Sequence, residues 1–491
     1  MESEPTPAPA TESRRLHPSS LVFRFFGHLR PFAVPLVLAL AFAGGDRTEA
    51  WFALAVGPLM LFEIVRYFTF RYRFTAEGLV VREGVFFRNE RLVPYARIQN
   101  VDTRQGLFHR LLGVIDVSIE TATGSEPEAK LTVVSHSRLE ELEKHLRTAA
   151  GTHETGSAPA HATPLRRTLY QLTTADTVLL GLSPWRGLAI VGVAVGLFVE
   201  TRPWRDFFSG FLERDWSSLL DLGTIWLNIV LAALAGILLV GLSVLVTLTR
   251  LYGFRVERER DNLRVTCGLF TRHDTNLDVR RIQTVTIRRP WLLRQLGRAS
   301  IRITTAAAVE DPGEEASTRR WLAPVVRNED LGPLLDEIDP RLAAAELDWQ
   351  PLAPSASRRM TKMAILRVVL LAVPIGSLAK LYAIPVVPVV LVFAVLHARA
   401  AARRAAFASL PDLMVDRDGV LTQRETFVFV DRIQGIGLQE SPFDRRYGTV
   451  QVLVDTAGGT QMVSAVRIPY LERERAERLQ AGLIARVAAV T

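Results

Sequence analysis

At 491 residues the chain is too long for one ordinary domain, and a mean hydropathy of +0.17 is high for a soluble protein. The net charge of +8 comes almost wholly from arginine, which favours an acidic partner such as nucleic acid or an anionic membrane leaflet. The single cysteine, Cys267, excludes an internal disulfide framework and a cysteine-based zinc cluster.

The first element along the chain is a polar, proline- and alanine-rich segment, residues 1–18. It lacks the compact apolar core of a signal peptide, and we expect a disordered tail. Apolar segments then come in three pairs: 31–45 with 50–68, 187–199 with 224–248, and 363–379 with 381–396.

A membrane-spanning helix needs about 20 mostly apolar residues. Segment 224–248 meets this length, whereas 31–45 and 187–199 need flanking residues to span, and a re-entrant hairpin or buried helix is their alternative. The flanks of each pair are basic and the connector 200–221 is rich in acids. The excess of arginine on one side therefore predicts that both termini, and everything between the pairs, lie in the cytoplasm.

A repeated pattern follows each pair. Without a gap, residues 84–122, 268–306 and 419–457 share the spacing G-[VL]-x11-R-I-Q-x10-R-x2-G-x7-T-A. The repeated positions are Gly84, Arg97, Ile98, Gln99, Arg110 and Gly113; Gly268, Arg281, Ile282, Gln283, Arg294 and Gly297; and Gly419, Arg432, Ile433, Gln434, Arg445 and Gly448. So specific a spacing indicates a domain present three times.

The repeat has the alternation of a β-structure. Residues 79–95 alternate around Gly84 as a hairpin does, and residues 114–122, 299–307 and 449–457 alternate apolar and polar side chains. An amphipathic helix is expected to close each unit, at 139–146, 328–338 and 470–490. Several strands closed by one helix predict a small, barrel-like α+β domain.

The tripled R-I-Q pattern behind helical hairpins resembles the YdbS/YdbT-like bacterial pleckstrin-homology (PH) membrane proteins, in particular their three-domain YdbT-like form. The resemblance covers residues 20–490. It implies a multidomain α+β membrane protein, with three transmembrane helical hairpins that alternate with three PH-like split β-barrels, each capped by a C-terminal helix. It also implies a multi-pass protein of the bacterial cytoplasmic membrane, and no reaction.

The predicted division follows from the pairs and the repeats. The expected segments are a tail (1–18), hairpin 1 (19–69), PH-like domain 1 (70–150), a linker (151–183), hairpin 2 (184–249), PH-like domain 2 (250–340), a linker (341–359), hairpin 3 (360–398) and PH-like domain 3 (399–491).

One basic stretch is specific to the second repeat. Its candidate binding residues, for lipid or for protein, are Arg280, Arg281, Arg288, Arg289, Trp291, Arg294 and Arg298. A basic loop with an exposed tryptophan suits an anionic bilayer. A solvated basic face with Trp291 in the core is the alternative. Nucleic acid is not expected as a partner, since no RNP motif, helix-turn-helix or zinc site accompanies the charge.

The R-I-Q triplet favours a role in the fold, because the same three residues return in every unit. We expect the isoleucine to pack inward and the arginine and glutamine to tie the strand end to a neighbouring loop. The alternative is that the arginine binds a phosphate head group or an acidic partner segment.

The sequence favours no catalysis, cofactor or metal site. It holds no H-E-x-x-H, G-x-S-x-G, P-loop or dinucleotide motif, and its nine histidines are scattered. We therefore expect a non-enzymatic scaffold or binding protein, which presents three cytoplasmic PH-like domains to a protein partner in envelope maintenance or stress defence. A smaller single-PH companion is one candidate partner, and a homo-oligomer is another. Anionic-lipid binding by the second domain is the alternative function, and a transporter or membrane enzyme a weaker one.

Overall fold

The computed structural model describes residues 19–20, 65, 67–75, 77–84, 88–95, 98–121, 129–149, 167–182, 222–305, 321–379, 383–457 and 466–490. The predicted segments 31–45 and 187–199, and almost all of 50–68, lie outside these ranges. Unit 1 comprises residues 1–166, 173–255 and 264–276, and unit 2 comprises residues 167–172, 256–263 and 277–491. Within the ranges above, no helix is both long and apolar enough to cross a membrane. The transmembrane hairpins therefore stay predictions.

The described residues of the first repeat form six strands and two helices: β1 Arg71–Phe74, β2 Gly78–Glu83, β3 Asn89–Pro94, β4 Ile98–Gln105, α1 Leu107–Leu111, β5 Val114–Thr121, β6 Ala129–Ser135 and α2 His136–Ala149. It is followed by β7 Arg167–Gln171, α3 Thr174–Gly181 and α4 Leu222–Leu251.

The second repeat has the same order of elements: β8 Arg255–Glu259, β9 Asn262–Cys267, β10 Arg272–Asp278, β11 Ile282–Pro290, α5 Trp291–Gln295, β12 Arg298–Thr305, β13 Trp321–Arg327 and α6 Asn328–Asp336. The elements that lead to the third repeat are α7 Pro340–Ala343, β14 Gln350–Pro351, α8 Ser355–Ala379 and α9 Ala383–Arg404.

The third repeat has this order once more: β15 Ala406–Ser409, β16 Leu413–Asp418, β17 Thr422–Phe429, β18 Ile433–Gln439, α10 Pro442–Tyr447, β19 Thr449–Thr456, β20 Val466–Glu472 and α11 Arg473–Val490. The internal repeat, its strands and its closing helices are thus confirmed. Every repeat has a first half of three strands, the R-I-Q triplet, and a second half of three strands with a short helix after the first of them.

In the first and third repeats the core lies between the two halves. In the first repeat, Phe74 of β1 and Leu79 of β2 pack with Ile119 of β5, and Leu142 of α2 closes the cluster. The third repeat has the same arrangement, since buried residues of β16 and β17 pack with those of β19, β20 and α11. Alternation at period two puts one face of each strand into this core.

Consecutive repeats share their sheets. In unit 1, β4 of the first repeat pairs antiparallel with β10 of the second. In unit 2, β11 of the second repeat pairs antiparallel with β17 of the third, within a seven-stranded sheet of order β13-β12-β11-β17-β16-β15-β14. The second half of one repeat therefore continues the sheet of the next repeat's first half.

The two junctions have the same register. Gln105 lies opposite Arg272 in the β4–β10 pair. The corresponding residues of the next repeats, Arg289 and Gln423, lie opposite each other in the β11–β17 pair. The gapless alignment of the repeats makes these positions equivalent. One interaction between repeats is therefore used twice.

An ion pair crosses the junction between the second and third repeats. Arg289 Nη1 lies 2.6 Å from Glu425 Oε2, and the two side chains are only 21% and 17% exposed. Removal of one partner would leave the other charge partly buried without its counterion.

We expect Glu425→Ala to destabilise unit 2 by about 2 kcal/mol. The matched control is Glu329→Ala, because its pair with Arg327 is exposed on both sides, so we expect a change below about 0.5 kcal/mol. Thermal unfolding of the detergent-solubilised full chain measures both. Equal apparent unfolding midpoints for the two variants would show that the Arg289–Glu425 ion pair does not stabilise the junction.

Glycines of the repeat lie where the backbone needs them. Gly268 has a φ of 108°, and a Cβ on it would lie 1.9 Å from the carbonyl oxygen of Thr271. Gly419 has the same relation to Thr422, also at 1.9 Å. Gly297 has a φ of 63°, but a Cβ there would meet nothing within 4 Å.

These differences give a matched pair of variants. Gly268→Ala combines a disfavoured φ with a backbone clash and is expected to lower the free energy of unfolding by about 3 kcal/mol. Gly297→Ala carries only the disfavoured φ, at about 1 kcal/mol. The apparent unfolding midpoints of the two full-length variants test this order, and the reverse order would contradict the steric account.

Candidate functional site

Each repeat carries a short helix, here called the tip helix, after the first strand of its second half. The tip helices are α1, α5 and α10, and each is followed by a glycine at positive φ, namely Gly113, Gly297 and Gly448. All three expose large apolar side chains, among them Phe108, Leu111, Trp291 and Phe443. An apolar feature that recurs on the surface indicates a contact surface rather than core packing.

In unit 1 the tip helix lies near the end of α4. The turn 268–271 is tied to that end, because the amide of Gly268 donates to the carbonyl of Tyr252 and that of Leu269 donates to Thr249, both at 2.9 Å. A Cβ on Gly106, which precedes α1, would lie 3.9 Å from Thr271 Oγ1 of this turn. Tyr252, Leu269 and Phe270 are exposed here.

In unit 2 the tip helix of the second repeat lies near the end of α9. The carbonyl of Val420 accepts hydrogen bonds from Arg294 Nη1 at 3.4 Å and Arg404 Nη1 at 3.1 Å. Arg294 belongs to α5, Arg404 ends α9, and Val420 lies in the turn between β16 and β17. Trp291 is one helical turn from Arg294 and 54% exposed. The arrangement of unit 1 is therefore repeated.

The tip helix of the third repeat is fastened to the start of α8. Arg359 Nε lies 3.2 Å from Asp444 Oδ1, and its guanidinium lies 5.0 Å from the ring centre of Phe443. Lys362 Nζ donates to Tyr447 Oη at 2.6 Å. The apolar helices α8 and α9 therefore both begin or end beside a tip helix.

We call these exposed residues the apolar collar: Leu107, Phe108, Leu111, Tyr252, Leu269 and Phe270 in unit 1, and Trp291, Leu296, Leu421 and Phe443 in unit 2. The apolar helices beside the collar expose further large side chains, such as Ile237 and Leu238 of α4, and Leu370 and Phe393 of α8 and α9. Aromatic residues and arginines at the end of an apolar helix are typical of a membrane–water interface.

The arginines of the predicted basic stretch do not form one uncompensated surface, because neighbouring and distant acids pair with several of them. Arg280 pairs with Asp261 at 2.9 Å and Arg281 with Asp278 at 3.6 Å. The remaining positions are placed as follows: Arg289 in the junction, Arg294 on the Val420 carbonyl, Arg288 opposite Arg424 on β17, Arg298 opposite Arg327 on β13, and Trp291 exposed in the collar. Their role in binding stays a prediction.

The R-I-Q triplets contribute to packing where the structure describes them. Ile282 and Ile433 are buried. Gln283 is also buried, and its Nε2 donates to the carbonyl of Arg281 at 3.3 Å. Ile98 packs against the first core, whereas Arg97 lies outside the described residues.

In the third repeat the motif arginine is held in the same region. The Arg432 guanidinium lies 4.3 Å from the ring centre of Phe429, and burial lowers its pKa from the ordinary value. Arg341 pairs with Asp339 at 2.8 Å and with Asp431 at 3.6 Å beside it. This network ties the segment after the second repeat to the third repeat's triplet.

Sequence reasoning missed the apolar collar, although its signal is in the chain. Apolar residues directly follow the R-I-Q strand in GLFHRLLG, RPWLLRQLG and SPFDRRYG. Five or six residues are too few for helical periodicity to show which of them are exposed.

In the described ranges no group of three or more His, Cys, Asp or Glu residues is arranged for a metal ion.

The family model of the bacterial PH domain matches residues 31–150, 217–338 and 364–487, and the chain therefore belongs to the bacterial PH domain family. Each matched stretch holds an apolar segment, a repeat and its closing helix. The chain is similar to the transmembrane protein YdbT of Bacillus subtilis (strain 168), at 20% identity over 359 residues, which are 68% of this chain and 71% of that protein. No solved structure matches the chain. The predicted YdbT-like resemblance is confirmed.

Proposed function

We propose that the chain is a membrane-associated, non-enzymatic scaffold of the bacterial cytoplasmic membrane, which presents its three PH-like repeats to a protein partner. The observation that carries this proposal is the shared sheet at both junctions. Because the second half of the second repeat continues the sheet of the third repeat, a partner meets these two parts of unit 2 in a fixed relation. Such an arrangement suits assembly better than three independent ligand-binding modules would.

The proposed membrane association has two supports. YdbT of Bacillus subtilis is named a transmembrane protein, and the described parts of α4, α8 and α9 expose many large apolar side chains. Bilayer contact explains such exposure, since a soluble surface seldom carries it. In this proposal both termini and the repeats lie in the cytoplasm, and the role belongs to envelope maintenance or stress defence. A smaller single-PH chain is one candidate partner.

In-cell crosslinking followed by purification of the tagged full chain tests the scaffold role. We expect a specific protein, either another protein or a second copy, to be recovered with the parent. Glu425→Ala disturbs the junction and should lower the recovery, whereas the exposed-pair control Glu329→Ala should not. If the parent recovers no protein, scaffolding fails. If Glu425→Ala recovers as much as Glu329→Ala, the junction is not what the partner needs.

A second candidate function, anionic-lipid binding, is favoured by the collar of unit 2. Trp291 is exposed beside Arg294 and at the end of an apolar helix. An interfacial tryptophan anchors a domain at the head-group level, and each basic residue near an anionic surface contributes about 1 kcal/mol. The two functions are compatible, because the collar and the sheet edges are different surfaces.

We expect an environment-sensitive fluorophore attached at Trp291→Cys to emit at shorter wavelength in proteoliposomes than in water. Spin-labelled lipid should quench this emission. The shift should be larger with phosphatidylglycerol than with phosphatidylcholine alone. Labelling is selective, because Cys267 is buried and burial raises its pKa to about 12.

The matched control is Asp412→Cys, in the turn between β15 and β16, at the other end of β15 from Arg404. Its label should keep the emission of a probe in water. If both positions give the same emission in both lipids, the collar does not lie on the bilayer.

A further inference from the structure

Strand β18 is the first strand of the third repeat's second half and has no neighbour on its outer side among the described strands. The equivalent strands β4 and β11 pair there with β10 and β17 of the following repeat. The three-stranded sheet of the third repeat has the order β18-β19-β20, so β18 is its edge. Among the described strands, β18 therefore lacks the pairing that β4 and β11 have.

The other side of such a junction is unfilled at the first repeat. Strand β3 is equivalent to β10 and β17, and it lies at the edge of the sheet β1-β2-β3. Its Leu92 is 48% exposed, whereas the equivalent Phe427 of β17, which β11 covers, is 4% exposed. Likewise Ile436 of β18 is only partly buried, whereas its equivalent Val285 of β11 is fully buried.

The β18 edge also lacks the proline and the charge that other edge strands of this region carry. Two sheets lie wholly within residues 277–491, and their edges are β13, β14, β18 and β20. Three of these strands contain a proline: Pro324, Pro351 and Pro469. Strand β18, with the sequence IQGIGLQ, contains neither proline nor charge. Proline and charge are among the usual protections of a free edge, so these two obstacles to strand pairing are missing from β18.

We propose that the β18 edge binds strand β3 of a second copy of this chain, in the register of the β4–β10 and β11–β17 junctions. This inference deepens the proposed scaffold role and rests on it. Transfer of the common register places Leu438 opposite Glu90, Gln439 opposite Asn89 and Glu440 opposite Arg88 of the second copy.

The complementarity of the two edges favours this occupant. In the transferred register the partly buried Ile436 faces the exposed Leu92 of the second copy, so the contact covers apolar surface on both strands. Glu440 faces Arg88, an opposite-charge pair of the kind that stabilises antiparallel strands. Its carboxylate also pairs with Arg445 and Arg473 of its own chain, so Arg88 would join an existing ion-pair cluster. Gln480 of α11 already donates to the carbonyl of Ile436 at 3.0 Å. Residues 438–440 are left for pairing with a second copy. They are equivalent to the three residues of β4 that pair with β10.

The contact joins two different surfaces, and so it is heterologous. Each copy offers β18 of its third repeat and β3 of its first repeat. Heterologous contacts build rings where the rotation closes, and open chains where it does not. The bacterial PH repeats of successive copies would then continue the same series of shared sheets.

Disulfide trapping in membranes of cells that make two tagged full-length chains tests the proposal. One chain carries Gln439→Cys and the other Asn89→Cys, since residues directly opposite in antiparallel strands have Cα atoms within disulfide range. We expect mixed dimers from this pair, and no dimer from either variant alone. The control replaces Gln439→Cys with Arg467→Cys, on the proline-bearing edge β20, and should give none.

A charge exchange tests the register. Glu440→Arg places two arginines opposite each other and should lower the mixed-dimer yield about threefold. Addition of Arg88→Glu to the other chain should restore it. A chain that carries both cysteines should give a ladder of dimers and longer species.

The outcomes separate this inference from the scaffold proposal. No mixed dimer, or an internal disulfide within one chain in place of a ladder, overturns the pairing between copies. If a different protein is trapped on β18 instead, the second copy is the wrong occupant while the scaffold role stands. If no protein at all is recovered with the chain, both proposals fail.

Discussion

The pairing of β11 with β17 is the constraint on which the rest of unit 2 depends. Seven consecutive residues of β11, from Thr284 to Pro290, lie opposite residues of β17. The third repeat packs its first half against its second half, and that first half belongs to the same sheet as the second half of the second repeat. The core of one repeat therefore cannot shift without strain in the neighbouring core, because close-packed interiors transmit displacement.

The register of the junctions also positions the apolar collar. Strand β11 ends at Pro290, opposite Thr422, the first residue of β17. The tip helix α5 therefore starts beside the turn that precedes β17, and that turn holds the Val420 carbonyl bound by Arg404 at the end of α9. In unit 1, Gln105 lies opposite Arg272 at the start of β10, which brings α1 beside the turn 268–271 at the end of α4. A slip of one residue would turn every side chain of the strand to the other face.

The sequence was sufficient for the repeat and for the order of strands, but not for the sheets. Alternation in residues 298–305 predicts a strand with one buried face, and β12 is that strand. The same pattern says nothing about which strand lies beside it, since hydrogen bonding runs at right angles to the direction in which side chains alternate. Arg289 shows the consequence. In the sequence it belongs to a stretch without acids, but in the fold its partner Glu425 comes from the next repeat. Trp291 is similar, because five residues of helix are too few for a pattern that separates core from surface.

A membrane surface changes what a short edge contact needs to supply. In solution, association carries the loss of translational and rotational freedom, and a three-residue strand contact is small against it. In the proposed membrane association, the collar would hold a repeat at the bilayer surface before it meets a second copy. Much of the rotational freedom would then be lost on membrane binding, before two copies meet. The effective concentration of neighbouring copies would also be high. The β4–β10 junction, with three paired positions, is of the same size and forms within one chain, where tethering has the corresponding effect. If both proposals hold, the collar and the β18 edge act together, because membrane binding would let so small an edge act as a specific contact.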